Sequence, residues 1–175
     1  MDNISVLYNT EEIACAVKKL GSEISNDYKG GKLLVVSVLK GSVVFVADLI
    51  RCIDSADVRL TFIRAKSYEG CCSSGNVSIL NTEEISQLDM SEYDVLVAED
   101  ILDTGLTLDA VKKYLLSLGA KSVKIAAFMD KPSRRVNNVK ADYSCFEIED
   151  RFVVGYGLDY NEKYRHLPYV GEVIL

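Results

Sequence analysis

Hydrophobic residues recur with a helical period in three segments of the chain. The first begins after Asn9, which together with Glu12 predicts a capping box, and it ends near the turn at Gly30. A second helix is predicted over Val43–Cys52. A third follows residue 107 and ends near Gly119, because glycine is typical of a helix C-terminal cap. The apolar faces of the first and third helices are Ile13, Val17, Leu20 and Ile24, and Leu108, Val111, Leu115 and Leu118.

Short apolar runs between polar turns predict the strands. Leu33–Val38 is almost continuously apolar, which is typical of a strand buried on both faces. Val58–Ala65 and Val77–Leu80 enclose a polar segment and predict a hairpin. Glu83–Tyr93 is predicted to be a polar connection, and we expect irregular structure from Gly155 onward. The remaining strands are predicted over Asp94–Ala98, Val123–Met129, Tyr143–Ile148 and Phe152–Val154.

The alternation of strands and helices predicts an α/β fold with a central, mostly parallel sheet flanked by helices. With 175 residues, of which 49% are hydrophobic, the chain suits a single domain over residues 1–175. The polar stretches 39–42, 99–107 and 129–131 each follow a predicted strand. Because ligands bind beyond the carboxyl ends of parallel strands, we expect these stretches to converge on one edge of the sheet.

Candidate chemistry is concentrated in Val95–Leu108, where an apolar strand leads through three carboxylates into a helix. Glu99 and Asp100 offer acceptors for sugar hydroxyls or for the water shell of a metal ion. Residues 104–107 supply hydroxyls and backbone N–H groups at a helix N-terminus, which favours a phosphate. Asp103 lies between these two functions. The stretch therefore predicts a site for a sugar phosphate.

The charge balance narrows the choice of partners. The chain carries 20 Lys and Arg against 26 Asp and Glu, a net charge of −6, whereas an extended nucleic-acid surface needs a basic footprint. We therefore expect no nucleic-acid partner. No apolar run approaches the roughly 18–20 residues of a membrane span. With no signal-peptide pattern and five cysteines in no metal-binding spacing, we expect a cytoplasmic protein with free thiols and no membrane partner.

Three of these stretches resemble the motifs of one enzyme family. Val95–Leu108 resembles the phosphoribosyl pyrophosphate (PRPP) signature of the type I phosphoribosyltransferases, a hydrophobic strand followed by Glu-Asp-x-x-Asp-Thr-Gly-x-Thr. Leu39–Ser42 is similar to the pyrophosphate loop of the hypoxanthine-guanine phosphoribosyltransferases, in which the peptide matching Leu39–Lys40 is cis. Phe152–Arg165 is similar to the purine- and metal-binding end of that family. The resemblance implies the type I phosphoribosyltransferase fold with a small C-terminal/N-terminal hood.

The resemblance implies a site for PRPP and Mg²⁺. Asp103 would be the general base near the purine. Asp159 would bind the Mg²⁺ on the pyrophosphate, while Glu99 and Asp100 would lie near the ribose-bound Mg²⁺. The residues implied for PRPP and its phosphates are Lys40, Gly41, Glu99, Asp100, Asp103, Thr104, Gly105, Leu106, Thr107 and Arg165.

The same resemblance implies a 6-oxopurine site and a mobile catalytic loop. Lys131 would donate to the 6-oxo group, Phe152 would stack on the base, and the backbone of Val153 would bind the purine edge. Ser67 and Tyr68 match the Ser-Tyr pair of the loop. The adjacent cysteines at positions 71 and 72 depart from the family pattern.

The implied reaction is Mg²⁺-dependent transfer of 5-phosphoribosyl from PRPP to hypoxanthine, and also to guanine, giving IMP or GMP and pyrophosphate in purine salvage. Two alternatives stay open at this point: a xanthine-preferring or pyrimidine-directed relative, and a regulatory RNA-binding protein on the same scaffold. The net charge of −6 disfavours the second. The resemblance also implies a homodimer or homotetramer.

Overall fold

A six-stranded sheet forms the centre of the computed structural model, which describes residues 3–67 and 77–174. Its strands are β2 (Lys32–Leu39), β3 (Asp57–Ser67), β4 (Val77–Leu80), β5 (Asp94–Leu102), β6 (Ser122–Asp130) and β7 (Tyr143–Glu147). They lie in the order β4-β3-β2-β5-β6-β7, and every neighbouring pair is parallel except β3 and β4. The carboxyl ends of β2, β5 and β6 therefore share one edge.

Helices cover both faces of this sheet, as the sequence predicts. Helices α1 (Thr10–Asp27) and α2 (Val43–Ile50) pack on one face, and α4 (Leu106–Ser117) packs on the other. Strand β2 is buried between them, because its alternate residues enter opposite cores. The capping box at the start of α1 is confirmed: the Asn9 side chain accepts from two backbone N–H groups, and Glu12 accepts from the Asn9 N–H at 2.8 Å. Within residues 3–67 and 77–174, no helix is long and apolar enough to span a bilayer.

The polar connection over residues 83–93 contains two short helical turns. It contains a one-turn helix, α3 (Glu83–Ser86), and a 3₁₀ turn over Met90–Glu92. Ile85 and Met90 are buried in the core beneath α4. Two apolar side chains therefore anchor an otherwise polar segment.

A second, three-stranded antiparallel sheet forms the hood. It consists of β1 (Asn3–Tyr8), β9 (Val170–Ile174) and β8 (Val153–Val154), in the order β1-β9-β8. The expectation of irregular structure from Gly155 onward was therefore wrong for β9. Pairing with the distant β1 orders this segment, and Gly171 permits it, since a Cβ there would lie 2.3 Å from Ile4 Cγ2.

Strand β5 is longer than its apolar pattern indicates. The sequence predicts an end at Ala98, but pairing with β6 continues to Leu102 opposite Asp130. Glu99 and Asp100 therefore belong to the strand itself rather than to the following turn. Backbone pairing with the neighbouring strand outweighs the low strand preference of these carboxylates.

Candidate active site

A cleft of about 320 Å³ opens at the carboxyl edge of the central sheet. It is lined by the turn after β2, by the end of β5 with the start of α4, and by Asp159 and Arg165 of the C-terminal segment. The predicted convergence of residues 39–42 with residues 99–107 is confirmed. Lys131 is outside this lining but close to it, since its backbone N–H donates to the Leu102 carbonyl at 3.0 Å.

The turn between β5 and α4 brings a helix N-terminus to the cleft. Gly105 precedes the helix with a φ of 84°, and a Cβ there would lie 2.4 Å from Asn137 Oδ1, so glycine is required. Thr104 and Thr107 line the cleft, while the Leu106 side chain is exposed. The partial positive charge of the helix N-terminus makes this turn suitable for a phosphate.

Arg135 supports the turn from behind and was not found by sequence reasoning. Its Nη1 donates to the carbonyls of Leu102, at 3.0 Å, and Asp103, while its Nη2 pairs with the Asp130 carboxylate. The side chains of Arg135 and Asp130 are only 11% and 17% exposed. A planar guanidinium can bind all three acceptors at once. No local pattern could have revealed this contact, because the acceptors belong to other elements.

The two strand carboxylates occupy different environments. Burial and the adjacent Asp100 charge raise the pKa of Glu99 well above its usual value. Asp100 accepts a hydrogen bond from the Ile101 N–H at 2.8 Å. Its Oδ2 would lie 1.5 Å from a Cβ at Gly41, so this glycine allows the carboxylate to approach the neighbouring loop closely.

The loop after β2 has the expected cis peptide between Leu39 and Lys40. Behind it, the buried Ser42 hydroxyl donates to the Val38 carbonyl at 2.5 Å and lies 2.7 Å from the Ser37 hydroxyl. Gly157, with a φ of 97°, packs against the loop, because a Cβ there would lie 2.2 Å from the Gly41 carbonyl oxygen. The C-terminal segment thus fixes the position of the loop.

Acidic and basic side chains alternate at the mouth of the cleft. Arg165 Nη2 lies 2.8 Å from Asp159 Oδ1, and its Nη1 donates to the Gly157 carbonyl at 2.8 Å. Glu162 Oε2 contacts Lys40 Nζ at 3.1 Å and Arg165 Nη2 at 3.5 Å. The hydrogen bond and charge of Lys40 lower the pKa of Glu162. Two cations that sequence reasoning assigns to pyrophosphate therefore share one carboxylate.

The predicted purine residues lie at two places, directly after β6 and at the start of β8. Lys131 is buried, and its Nζ donates to the Arg151 carbonyl at 2.6 Å. Phe152 is 45% exposed, with its ring edge-to-face against Tyr160 at 5.3 Å between centroids. Val153 is buried in β8. An exposed aromatic ring near a buried ammonium is a suitable contact surface for a planar base.

Asp103 lies at the boundary between these two regions. It lines the cleft, and its Oδ1 accepts from Arg134 Nε at 3.1 Å. Arg134 also contacts Asp150 at 3.3 Å. Sequence reasoning did not include Arg134 or Asp150 in the site.

The predicted mobile loop falls mainly on residues that the structure does not describe. Ser67 is the last residue of β3, and Tyr68 and the cysteine pair at 71 and 72 lie outside the described residues. The three described cysteines, Cys15, Cys52 and Cys145, are free thiols as expected. Burial raises the pKa of Cys145 to about 12, so it is not a reactive thiolate at neutral pH.

Comparison with known families gives this geometry a class. Residues 3–161 match the phosphoribosyl transferase domain family. A parallel sheet that carries the PRPP signature at its carboxyl edge agrees with that match. The fold and the site therefore define a phosphoribosyltransferase.

Individual relatives narrow the class further. The chain is 44% identical to the hypoxanthine-guanine phosphoribosyltransferases of Streptococcus pneumoniae and Bacillus subtilis, and each match covers 95% of this chain and 91% of the relative. A crystal structure of a Staphylococcus aureus hypoxanthine phosphoribosyltransferase superposes with a TM-score of 0.89 at 40% identity, covering 97% of this chain and 91% of that one. A Bacillus anthracis hypoxanthine-guanine phosphoribosyltransferase superposes with a TM-score of 0.91 at 38% identity, covering 99% and 100%. The chain belongs to the hypoxanthine-guanine phosphoribosyltransferases.

Proposed function

We propose that this enzyme transfers 5-phosphoribosyl from PRPP to a 6-oxopurine, with hypoxanthine and guanine as substrates and IMP or GMP and pyrophosphate as products. One observation carries the proposal. The phosphate turn and the loop at Lys40 and Gly41 lie in one cleft with Asp159 and Arg165, while Lys131 lies beside that cleft. The distribution of charge thus suits a substrate with a phosphate at one end and a pyrophosphate at the other.

The roles proposed for PRPP follow from this arrangement. The N–H groups and hydroxyls of residues 104–107 bind the 5′-phosphate at the start of α4. Glu99 and Asp100 accept hydrogen bonds from the ribose hydroxyls. Lys40 and Arg165 bind the pyrophosphate and stabilise its charge as it leaves C1′.

The carboxylates of the cleft suit a magnesium ion bound together with substrate. Among the described residues, no cluster of three or more His, Cys, Asp or Glu side chains could hold a metal alone. Mg²⁺ commonly takes one or two carboxylates and completes its octahedron with phosphate oxygens and water. Asp159 would hold the ion on the pyrophosphate, with Glu99 and Asp100 near an ion on the ribose. Bound Mg²⁺ would neutralise phosphate charge.

The proposed chemistry at C1′ is a displacement. The bond between C1′ and the pyrophosphate oxygen breaks, and a bond from C1′ to the purine nitrogen forms. The electron pair leaves with pyrophosphate, and C1′ gains positive charge as in glycosyl transfer generally. Asp103 accepts a hydrogen bond or proton near the purine N7, Lys131 donates to the 6-oxo group, and Phe152 stacks on the base. Adenine would leave the Lys131 donor unpaired.

We also propose that the enzyme forms a homodimer or homotetramer and acts in the cytoplasm. Large apolar side chains on three different elements, Val43, Phe62 and Leu80, are exposed and support an assembly. The free thiols of Cys15, Cys52 and Cys145 suit a reducing compartment. Light scattering after size-exclusion chromatography tests the assembly, and a monomer mass would contradict it.

Release of pyrophosphate from PRPP and Mg²⁺ tests the proposed activity. Hypoxanthine, guanine, xanthine, adenine and uracil are supplied separately. We expect turnover with hypoxanthine and guanine and none with adenine or uracil. A rate with xanthine above that with hypoxanthine would instead favour a xanthine-preferring enzyme. If no base supports release, the proposal is wrong, and a gel shift with RNA at low salt then tests a regulatory role.

A further inference from the structure

A continuous row of charged side chains joins the two residues proposed to bind the N7 and 6-oxo positions of the purine. Arg134 Nε lies 3.1 Å from Asp103 Oδ1, and Arg134 Nη1 lies 3.3 Å from Asp150 Oδ2. The other oxygen of Asp150 lies 3.8 Å from Lys131 Nζ. Asp103, the proposed base, is thereby connected to Lys131, the proposed donor, through one arginine and one aspartate.

Arg134 is suited to this bridge by its chemistry and by its location. Two different nitrogens of one planar guanidinium contact two different carboxylates, which the point charge of a lysine ammonium does not reproduce. The arginine ends the 3₁₀ turn that begins directly after Lys131, and its N–H donates to the Lys131 carbonyl at 3.1 Å. The bridge therefore starts from the same turn as the purine donor.

Asp150 is placed to orient Lys131. The lysine side chain is buried, and its hydrogen bond to the Arg151 carbonyl directs the ammonium toward the segment that contains Asp150. Phe152 follows in the same segment. The ammonium and the proposed stacking ring are thus positioned by adjacent residues, and Asp150 provides the charge that faces Lys131.

We propose that Arg134 and Asp150 are positioning residues for purine binding, which hold Asp103 and Lys131 in place before the base arrives. The inference rests on the proposed function, because it takes Asp103 and Lys131 as the purine ligands. Among the described residues, neither Arg134 nor Asp150 makes an ion pair or hydrogen bond with Lys40, Arg165 or the start of α4. Replacing either residue should therefore weaken purine binding and leave PRPP binding unchanged.

Steady-state kinetics of Arg134→Gln, Arg134→Lys and Asp150→Asn test this inference. Because exposed ion pairs are individually weak, we expect the hypoxanthine KM to rise about two- to fivefold in Arg134→Gln and Asp150→Asn. The PRPP KM should stay within about twofold of wild type. Arg134→Lys, which can retain one of the two contacts, should give a smaller rise. Glu149→Gln is the matched control, since it breaks an exposed pair with Arg151 in the same segment and should change neither KM.

The hypoxanthine KM of the double variant Arg134→Gln/Asp150→Asn shows whether the two residues act together as a bridge or independently. If the residues act through each other, the double variant should be no worse than the more affected single variant. The inference would be overturned if the KM values for hypoxanthine and PRPP rose equally, or if the hypoxanthine KM did not rise. It would also be overturned if the effect of the double variant equalled the sum of the two single effects. Calorimetric titration of IMP into each variant makes the same comparison without turnover. A wild-type enzyme that binds IMP but is inactive would contradict the proposed function alone, and absence of IMP binding would overturn both.

Discussion

Replacing Arg135 with Met should destabilise the enzyme strongly, although the neighbouring Arg134→Met should not. Arg135 and Asp130 form a pair whose side chains are only 11% and 17% exposed, and Arg135 also satisfies two backbone carbonyls. Removing one partner of a buried pair leaves the other charge uncompensated, which costs about 3–5 kcal/mol. Arg134 is 47% exposed in both of its ion pairs, so its loss should cost less than about 1 kcal/mol.

Urea denaturation of the two methionine variants measures this difference directly. For a protein of this size, 3–5 kcal/mol corresponds to a fall in Tm of about 6–20 °C. The two substitutions are chemically identical and adjacent, so they differ only in the surroundings of the arginine. A free energy of unfolding for Arg135→Met within about 1 kcal/mol of wild type, or equal losses in both variants, would refute the buried-pair argument.

Three further substitutions test the site and the fold. Gly157→Ala places a Cβ 2.2 Å from the Gly41 carbonyl oxygen, so the PRPP KM should rise at least about tenfold. Gly119→Ala is the control: its φ is similar, but no atom lies within 4 Å of the added Cβ, so the PRPP KM should stay unchanged. Asp103→Asn removes the proposed base and should lower kcat for hypoxanthine about a hundredfold, whereas unchanged turnover would contradict that role. Asn9→Ala removes the α1 cap and should cost about 1 kcal/mol in urea denaturation, with unaltered kcat.

Local chemistry explains which parts of the structure the sequence could predict. Helix α1, the buried strand β2 and the turn before α4 each depend on residues close together in the chain, such as Asn9 with Glu12 or the glycine at 105. A capping box, a two-sided apolar run and a positive-φ turn are local requirements. Two features came from the family resemblance alone, because no local pattern in the chain indicates them: the cis peptide between Leu39 and Lys40, and the hood.

Contacts between distant residues account for what sequence reasoning missed. Strand β9 contains Gly171, and only its pairing with β1 makes it a strand. Strand β5 extends past Glu99 because β6 continues to pair with it. Arg134 and Arg135 follow a Pro-Ser turn and look like ordinary surface residues in the sequence, yet both contact the residue at 103. Their partners become evident only when the strand ends are brought together.

The pairing of β1 with β9 also determines when the purine site can form during synthesis. The last strand of the hood is translated well after α4, and at about 5–20 residues per second the delay amounts to several seconds. The phosphate turn can assemble in that interval, whereas the Phe152 carbonyl receives its hydrogen bond from Val173 only after β9 has left the ribosome. A nascent chain should therefore form the turn at the start of α4 before the Phe152 carbonyl acquires its partner from β9.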